Sequence, residues 1–564
     1  MAQMKNRNAQ LQNALGAIAP KERIVAANSI PQEDTVNRQG HAAYALPDEL
    51  RLVSMLNTLK LQPQFYRSEN EQMRELRDLI EKIGMRDPKF VAQAIVYSRC
   101  MGEGMRTINH LAAALVAPLV SGQEWSKRFF GLFDKKNKKG GTIFRLDDMA
   151  EIKDAWFALG GKGLTASMRK GFASVLENVD TYQLAKYRKE AIDIANLVHP
   201  NSKLAKAEVE VEFNGEKVKM KALDAIMKGI TIAADTWEVA QSEAGQMVAK
   251  AVKEGKLTEA EAKEVLAEAK ADNWESLLKD GRLGVLAALR NIRNIMQNPR
   301  PEIIDEWCKL ITDPAKVRKA LILPIHFDLA YDVVDIEFGQ NKYANKVRQA
   351  LQDGYIAALS NLTAAFPGKT LIVVDNSGSM GSFAISDGKG NSYCGRTSTW
   401  GHGGSRLGTN TAGYKAGLIA ATFAAATGGD IIQFGGSANW FRYDKNENVF
   451  SLAKKVCTAS DGWTNPYAAF ELITRERKAY DRIIFISDNE VNGRLTSDAY
   501  KRYVHDVCDP YIYGIDLCSY GTTPLKKDGK IQYFFGYGPS MYEAVASSEF
   551  NPMEHIDKIR AIEI

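Results

Sequence analysis

The sequence predicts two architectures in one chain: a long all-helical part, then an α/β domain built on a doubly wound sheet. Three observations lead there. Apolar residues recur at helical spacing from about residue 47 to 365. From residue 370 onward, short β-rich runs alternate with helical patterns, the signature of a parallel sheet with helices on both faces. Where the two regimes meet stands LIVVDNSGSM (371–380), in which apolar β-formers run directly into Asp375, Asn376, Ser377, Gly378 and Ser379.

Bulk properties set the class. A length of 564 residues suits about two to four domains. With 45% apolar and 25% charged residues, the composition is that of a soluble globular protein. No run approaches the ~18 apolar residues of a membrane span, so no membrane partner is expected. The opening residues MAQMKNRNAQLQNALG are polar and lack the apolar core of a signal peptide. Cys100, Cys308, Cys394, Cys457, Cys508 and Cys518 are scattered without paired or zinc-type spacing. They read as reduced thiols of a cytoplasmic protein. The net charge is +5, and the segment from Lys369 onward is about neutral, so the basic excess lies in the first two thirds. That asymmetry permits a nucleic-acid partner there without requiring one.

After an N-terminal arm (1–39), the helical part spans 40–365. ELRLVSMLNTL, QMRELRDLIEKIG, FVAQAIVYSRCM, TINHLAAALVAPLV and IKDAWFAL each carry an apolar stripe, with short Gly-, Pro- or Asp-containing connections. Many short amphipathic helices suggest stacked helix pairs, an α-solenoid of HEAT-like character. No repeat of fixed period supports this, so the inference rests on helix number. AEVEVEFNGEKVKMK (207–221) breaks the pattern. Its strict alternation around Asn214-Gly215 predicts a β-hairpin with a type I′ turn. Glu208, Glu210 and Glu212 then face Lys217, Lys219 and Lys221. Thr258 and Glu261 form a capping box opening a solvated helix in 254–272. The run Lys135, Lys136, Lys138 and Lys139 reads as a solvated loop or a second basic cluster.

The C-terminal part spans 369–564. TLIVVD (370–375), DIIQFG (430–435), RIIFIS (482–487) and YIYGID (511–516) read as buried strands. Helical patterns occupy 413–427, 465–480 and 495–507. Residues 381–411, rich in Gly, Ser and Thr, follow the first strand as an extended loop. That loop is either an insertion or a gating or partner-binding element. His402 within it reads more readily as solvent-exposed than as a ligand.

In open α/β sheets, ligands bind beyond the carboxyl ends of the strands. Asp375 and Asp488 stand at two such ends. Asp375, Ser377 and Ser379 place three oxygen donors on one turn, as a hard divalent cation requires. A polar turn is the simpler reading of that motif alone. However, Thr464 in DGWTNP and Asp488 in RIIFISDNE supply the remaining pieces in order. The set Asp375, Ser377, Ser379, Thr464 and Asp488 resembles the metal-ion-dependent adhesion site of the von Willebrand factor A family. That resemblance implies Mg²⁺, with a coordination position open to an acidic residue of a partner.

A helical segment followed by such a domain resembles the Ro autoantigen family, whose N-terminal portion is the TROVE domain. The resemblance covers about 40–550. It rests on GLTASMRKGF (163–172), LAKYRKEAIDIANLVHP (184–200), NWESLLKDGRLGVLAALRNI (273–292) and KALILPIHFDLAY (319–331), with the metal motifs in order. It implies a ring of helical repeats closed by the A-type domain. It further implies binding of small structured noncoding RNAs (Y-RNA-like) and of single-stranded 3′ ends of misfolded RNAs, in RNA quality control or processing. Arg169, Lys170, Lys186, Tyr187, Arg188 and His199 fall in the best-matched segments and offer phosphate neutralisation and base stacking. On chemistry alone, Lys186-Tyr187-Arg188 reads first as a solvated helix face with a Tyr packed beneath it, and the resemblance reverses that order; His199 is equally a helix-end residue. The family pattern has a further His and Arg where Ala191 and Asn196 stand here, which bears on the detailed RNA contacts. The inserted hairpin and the capped helix have no family counterpart.

Two other function classes compete. One is a metal-dependent protein–protein adaptor whose A-type domain captures an acidic residue of a partner, such as a ribonuclease. The other, an enzyme, is not expected. A two-metal nuclease needs several carboxylates around ions ~4 Å apart. No Ser/His/Asp or Cys/His set is present, and GGSANW (435–440) lacks the Lys of a phosphate-binding loop. A DNA partner is not expected either.

Overall fold

The computed structural model describes residues 33–564 apart from 60, 62–63, 65, 101–104, 132–145, 214–215, 231, 233–247, 249–250, 255–257, 282, 321, 323, 360–365, 381–383, 387–391, 395–411, 457–462, 493–497, 537–538 and 549–554. The lysine run at 135–139, the Asn214-Gly215 turn and His402 therefore lie outside the described residues. The chain forms two compact units. One is Met1–Arg86, Gln93–Ile108 and Leu359–Ile562, and the other is Asp87–Ala92, Asn109–Ala358 and Glu563–Ile564. Among the described residues no helix is long and apolar enough to cross a membrane.

In chain order the described strands are β1 (Thr35–Val36), β2 (Ala42–Ala45), β3 (Glu208–Phe213), β4 (Glu216–Lys221), β5 (Thr370–Asp375), β6 (Ala384–Ser386), β7 (Ser392–Cys394), β8 (Asp430–Phe434), β9 (Ala438–Phe441), β10 (Arg482–Ser487), β11 (Tyr511–Asp516), β12 (Thr522–Thr523) and β13 (Ile531–Phe535). The first unit is built on a six-stranded sheet of order β13-β11-β10-β5-β8-β9. Its neighbours are parallel except the β8–β9 edge pair. The four strands expected from sequence form at the expected residues, and β9 and β13 complete the edges.

Strands β5 and β10 are buried along their whole length, as their unbroken apolar runs require. The helix Ala412–Thr427 packs on this sheet and is buried almost all round, which is why Ala and Gly dominate it. From β5 the chain moves to β8 on one side and returns to β10 on the other. The carboxyl ends of β5 and β10 therefore flank the point where the strand order reverses, the place for a ligand in such sheets. Part of the loop expected over 381–411 is a short antiparallel pair, β6–β7.

The first unit also recruits residues from far upstream. β2 pairs with β1 and with β12, joining residues 42–45 to 522–523. Helices Asp48–Thr58 and Glu69–Gly84 follow, the latter opened by a Ser68/Glu71 capping box. Between them, the wholly buried Arg67 donates to the Glu75 carboxylate (2.9 Å), the Gln64 side chain (2.9 Å), the Cys518 and Ser519 carbonyls (3.0 and 3.2 Å) and the Ser519 hydroxyl (3.0 Å). Glu75 also pairs with Arg38 (2.5 Å) and Arg51 (3.2 Å). A buried guanidinium is tolerable only when paired and hydrogen-bonded in this way.

The second unit is helical apart from the β3–β4 hairpin. Ser126–Phe130 packs on Ala166–Asn178, which packs on Arg188–Val198, and Glu259–Lys279 packs on Pro301–Thr312. A Cβ at Gly171 would lie 2.5 Å from the Cβ of Phe130, so glycine alone permits the first of these approaches. Trp307 is fully buried, and its indole donates to the Ala288 carbonyl (3.0 Å). The hairpin pairs Glu208 with Lys221, Glu210 with Lys219 and Glu212 with Lys217, the register read from sequence. The Thr258/Glu261 capping box also forms, and its helix runs on to Lys279.

Arg67→Ala is expected to destabilise the first unit by about 3–5 kcal/mol, because Glu75 and two carbonyls lose a buried partner. A urea midpoint that barely moves would show that the network contributes little.

Candidate functional site

Asp375 closes β5 and is fully buried. Its carboxylate accepts from the Ser377 backbone N–H (2.8 Å) and the Ser487 hydroxyl (2.5 Å). The chain then tightens into a single 3-10 turn over Gly378–Met380. This leaves the Ser377 and Ser379 hydroxyls 3.2 Å apart. One strand over, β10 delivers Asp488, also fully buried. One Asp488 oxygen accepts from the Glu490 N–H (3.1 Å), and the other, Oδ2, has no hydrogen-bond partner among the described residues. Thr464 is buried, and its loop is locked to the one after β10. Its N–H donates to the Asn492 side chain (2.7 Å), and its carbonyl accepts from the Asn492 N–H (3.1 Å). Next to it, Trp463 is 62% exposed.

The electrostatics follow from this burial. Desolvation pushes the Asp375 pKa upward. Asp488 is pushed well above the carboxylate range by burial and then by the Asp375 charge. Two further carboxylates share these strand ends. Glu490 is raised to about 7 by burial. Asp516, at the end of β11, is raised to about 6 by burial, against donors from Cys518 N, Ser519 N and Ser54.

Buried carboxylates in mutual repulsion, an orphaned carboxylate oxygen and adjacent hydroxyls fit a hard divalent cation. Asp375 and Asp488 would supply the charge, and Ser377, Ser379 and Thr464 the neutral oxygens. Among the described residues no group of three or more His, Cys, Asp or Glu side chains is arranged to hold a metal. Any ion here would therefore depend on the hydroxyls.

Sequence reasoning missed several neighbours. Ser487 and Glu490 sit inside the motif RIIFISDNE and were legible as polar residues at a strand end. Tyr66 and Gln39 carried no signal. The Tyr66 hydroxyl accepts from the Gln39 amide (2.8 Å), and burial and then the Asp488 charge raise its pKa. More than 300 residues separate Gln39 and Tyr66 from Ser379 in sequence.

The basic residues singled out from sequence all lie in the second unit. Arg169 and Lys170 are exposed on the helix Ala166–Asn178. The run LAKYRKEAIDIANLVHP is not one helix. It breaks at Tyr187 (φ −112°, ψ 38°) into Thr181–Lys186 and Arg188–Val198, the second of which packs on Ala166–Asn178. Lys186 is exposed, and its ammonium lies 5.6 Å from the Tyr182 ring centre and 5.8 Å from that of Tyr187. Tyr182, 46% exposed, belongs to this cluster and was missed. Tyr187 and Arg188 are half-buried. His199 is exposed and ends its helix in the left-handed region (φ 50°, ψ 63°). Ala191 is buried and Asn196 exposed.

No protein-family model matches the chain, and no curated protein sequence does. A solved structure does match: the crystal structure of the Deinococcus radiodurans Ro (RSR) protein, at a TM-score of 0.55 and 18% identity, covering 89% of this chain and 100% of that one. The chain has the fold of that Ro protein. At this identity the likeness is one of fold, and it agrees with the Ro resemblance read from the motifs.

Glu490 (about 7) and Asp516 (about 6) lie above the unfolded carboxylate values of roughly 4. Between about pH 4 and 7 the folded state therefore holds more protons than the unfolded one, and this contribution to stability falls as pH rises. In metal-free buffer, Glu490→Gln is expected to gain stability relative to wild type at pH 7.5 compared with pH 5.5. A difference in urea midpoint that is the same at both pH values would contradict this.

Proposed function

We propose that the chain is an RNA-binding protein of the Ro family, taking small structured noncoding RNAs and single-stranded 3′ ends of misfolded RNAs in RNA quality control or processing. The observation that carries this reading is the likeness of fold. It extends over 89% of this chain and the whole of the Ro (RSR) structure, so it takes in both the helical part and the sheet. In this reading, residues 40–365 form the HEAT-like TROVE repeats, and residues 369–564 form the von Willebrand factor A-like domain with its adhesion-type metal site.

The residues offer the matching chemistry. Arg169 and Lys170 present two cations on the exposed face of the helix Ala166–Asn178. Lys186, beside two tyrosine rings, pairs a phosphate-neutralising charge with surfaces on which an unpaired base can stack. Asn196 offers an exposed amide where the family pattern has a cation. That exchanges charge neutralisation for hydrogen bonding.

At the metal site, Mg²⁺ would be held by Asp375 and Asp488 with Ser377, Ser379 and Thr464, and would supply a Lewis-acidic position for a partner's carboxylate. The exposed Trp463 beside it favours a protein partner there, such as a ribonuclease, because exposed aromatics anchor interfaces. Binding rather than catalysis is the role, in a cytoplasmic setting. If RNA binding is absent, the metal-dependent adaptor remains.

The test is a gel shift with a structured RNA carrying a single-stranded 3′ tail, beside a fully duplex control, at two salt concentrations. Tight, salt-sensitive binding that prefers the tailed RNA is expected. Replacing Arg169, Lys170 and Lys186 together by Ala should reduce the salt slope by about 2. No shift at low salt would exclude the RNA reading. Asp375→Ala is expected to abolish Mn²⁺ binding, measured by equilibrium dialysis, while leaving the RNA shift intact. Loss of both in a folded protein would mean that the two sites are not separate.

A further inference from the structure

Thr464 is the candidate ligand that no strand delivers, and hydrogen bonds on both sides set where it stands. The Asn465 N–H donates to the Gly435 carbonyl, just past β8 (2.7 Å). The Thr464 N–H donates to the Asn492 side-chain oxygen, just past β10 (2.7 Å), and the Asn492 N–H returns to the Thr464 carbonyl (3.1 Å). Strand β5 lies between β10 and β8. Two successive residues of one loop are therefore fastened on either side of the end of β5, where Asp375 stands. Asn492 is itself gripped from upstream, because the turn Asn37–His41 holds three successive residues of its loop. The Arg38 N–H donates to the Glu490 carboxylate (3.0 Å), the Asn37 side chain donates to the Val491 carbonyl (2.5 Å), and the Asn492 amide donates to the Gln39 side chain (3.5 Å). The turn is stiffened by Asn37, which accepts from the N–H groups of Gln39 (3.1 Å) and His41 (2.9 Å), and Gly40 at φ 81° lets it reverse. The Asn492 side chain thus turns its oxygen to Thr464 and its nitrogen to Gln39.

We propose that Asn492 is a positioning residue of the metal site: it sets Thr464 over the end of β5 and carries to it the hold of the Asn37–His41 turn. This rests on the reading of Asp375, Ser377, Ser379, Thr464 and Asp488 as metal ligands. Asn492 acts through Thr464, whose hydroxyl completes the neutral donors only while its loop is pinned on both sides. The coupling is reciprocal: a turn that favours the metal-competent placement of Thr464 is itself held more firmly once the metal is bound.

The experiment uses the full chain, measuring Mn²⁺ affinity by equilibrium dialysis and hydrogen exchange at the Gln39 and His41 N–H groups with and without Mn²⁺. Asn492→Ala should bind Mn²⁺ ~10-fold more weakly than wild type, the size of one lost hydrogen bond. Asn492→Asp keeps the acceptor for the Thr464 N–H and should bind at least as tightly as wild type. Mn²⁺ should slow exchange at both N–H groups in wild type and do so less in Asn492→Ala. A merely structural Asn492 would lower the metal-free urea midpoint and leave both readouts unmoved. If Asn492→Ala fails to fold, Asn37→Ala, which releases Val491, decides the matter by weakening Mn²⁺ binding in the same direction. Wild-type affinity in whichever of these two variants folds, or an Asn492→Asp affinity as low as that of Asn492→Ala, would overturn the positioning role while leaving the metal site standing. Exchange that Mn²⁺ does not change in wild type would overturn the coupling to the turn. Mn²⁺ binding that is absent in wild type, or unchanged in Asp375→Ala, would overturn the metal reading and this role with it.

Discussion

Four carboxylates crowd the ends of three adjacent strands, out of reach of water, and much of the first unit is arranged around that fact. Asp375 ends β5, Asp488 and Glu490 follow β10, and Asp516 ends β11. Burying such groups is costly unless each finds donors or an opposite charge. Asp516 receives two backbone N–H groups, the Ser54 hydroxyl and the field of Arg67. Asp375 receives Ser377 and Ser487. Asp488 alone keeps an oxygen with no hydrogen-bond partner among the described residues.

This explains why residues near the N-terminus belong to the same compact unit as the sheet. Arg67 is the buried counter-charge beside the strand ends, and Glu75, Arg38 and Arg51 in turn compensate Arg67 or Glu75. The Asn37–His41 turn satisfies Glu490 and Val491. The upstream residues therefore complete the electrostatics of a site whose charged groups lie at the other end of the chain. The same turn that donates to Glu490 also holds the Tyr66 hydroxyl through Gln39.

The second unit works differently. Its helices pack on near neighbours in sequence, so its cores are assembled locally. Its candidate RNA surface depends on a helix break at Tyr187, which sets Lys186 beside both Tyr182 and Tyr187. Periodicity cannot show such a break. A stripe of apolar residues continues across a single non-helical residue almost unchanged.

The amino-acid sequence by itself determined the four central strands, three of the helices between them, the hairpin register and the order of the motifs that carry Asp375, Thr464 and Asp488, though not the helix Val449–Val456. All of these depend on patterns within a few residues: apolar runs, alternation, and a carboxylate placed where a strand must end. The sequence placed Asp375 and Asp488 at strand ends that share one site; tertiary structure decided that those strands, β5 and β10, are paired neighbours where the strand order reverses. It alone decided that Arg67 is buried against Ser519, that Tyr182 joins the basic cluster, and that Gln39 reaches the Tyr66 hydroxyl. These depend on which distant segments share one desolvated space. Burial of that kind sets pKa values, pairings and access, and no local pattern encodes it.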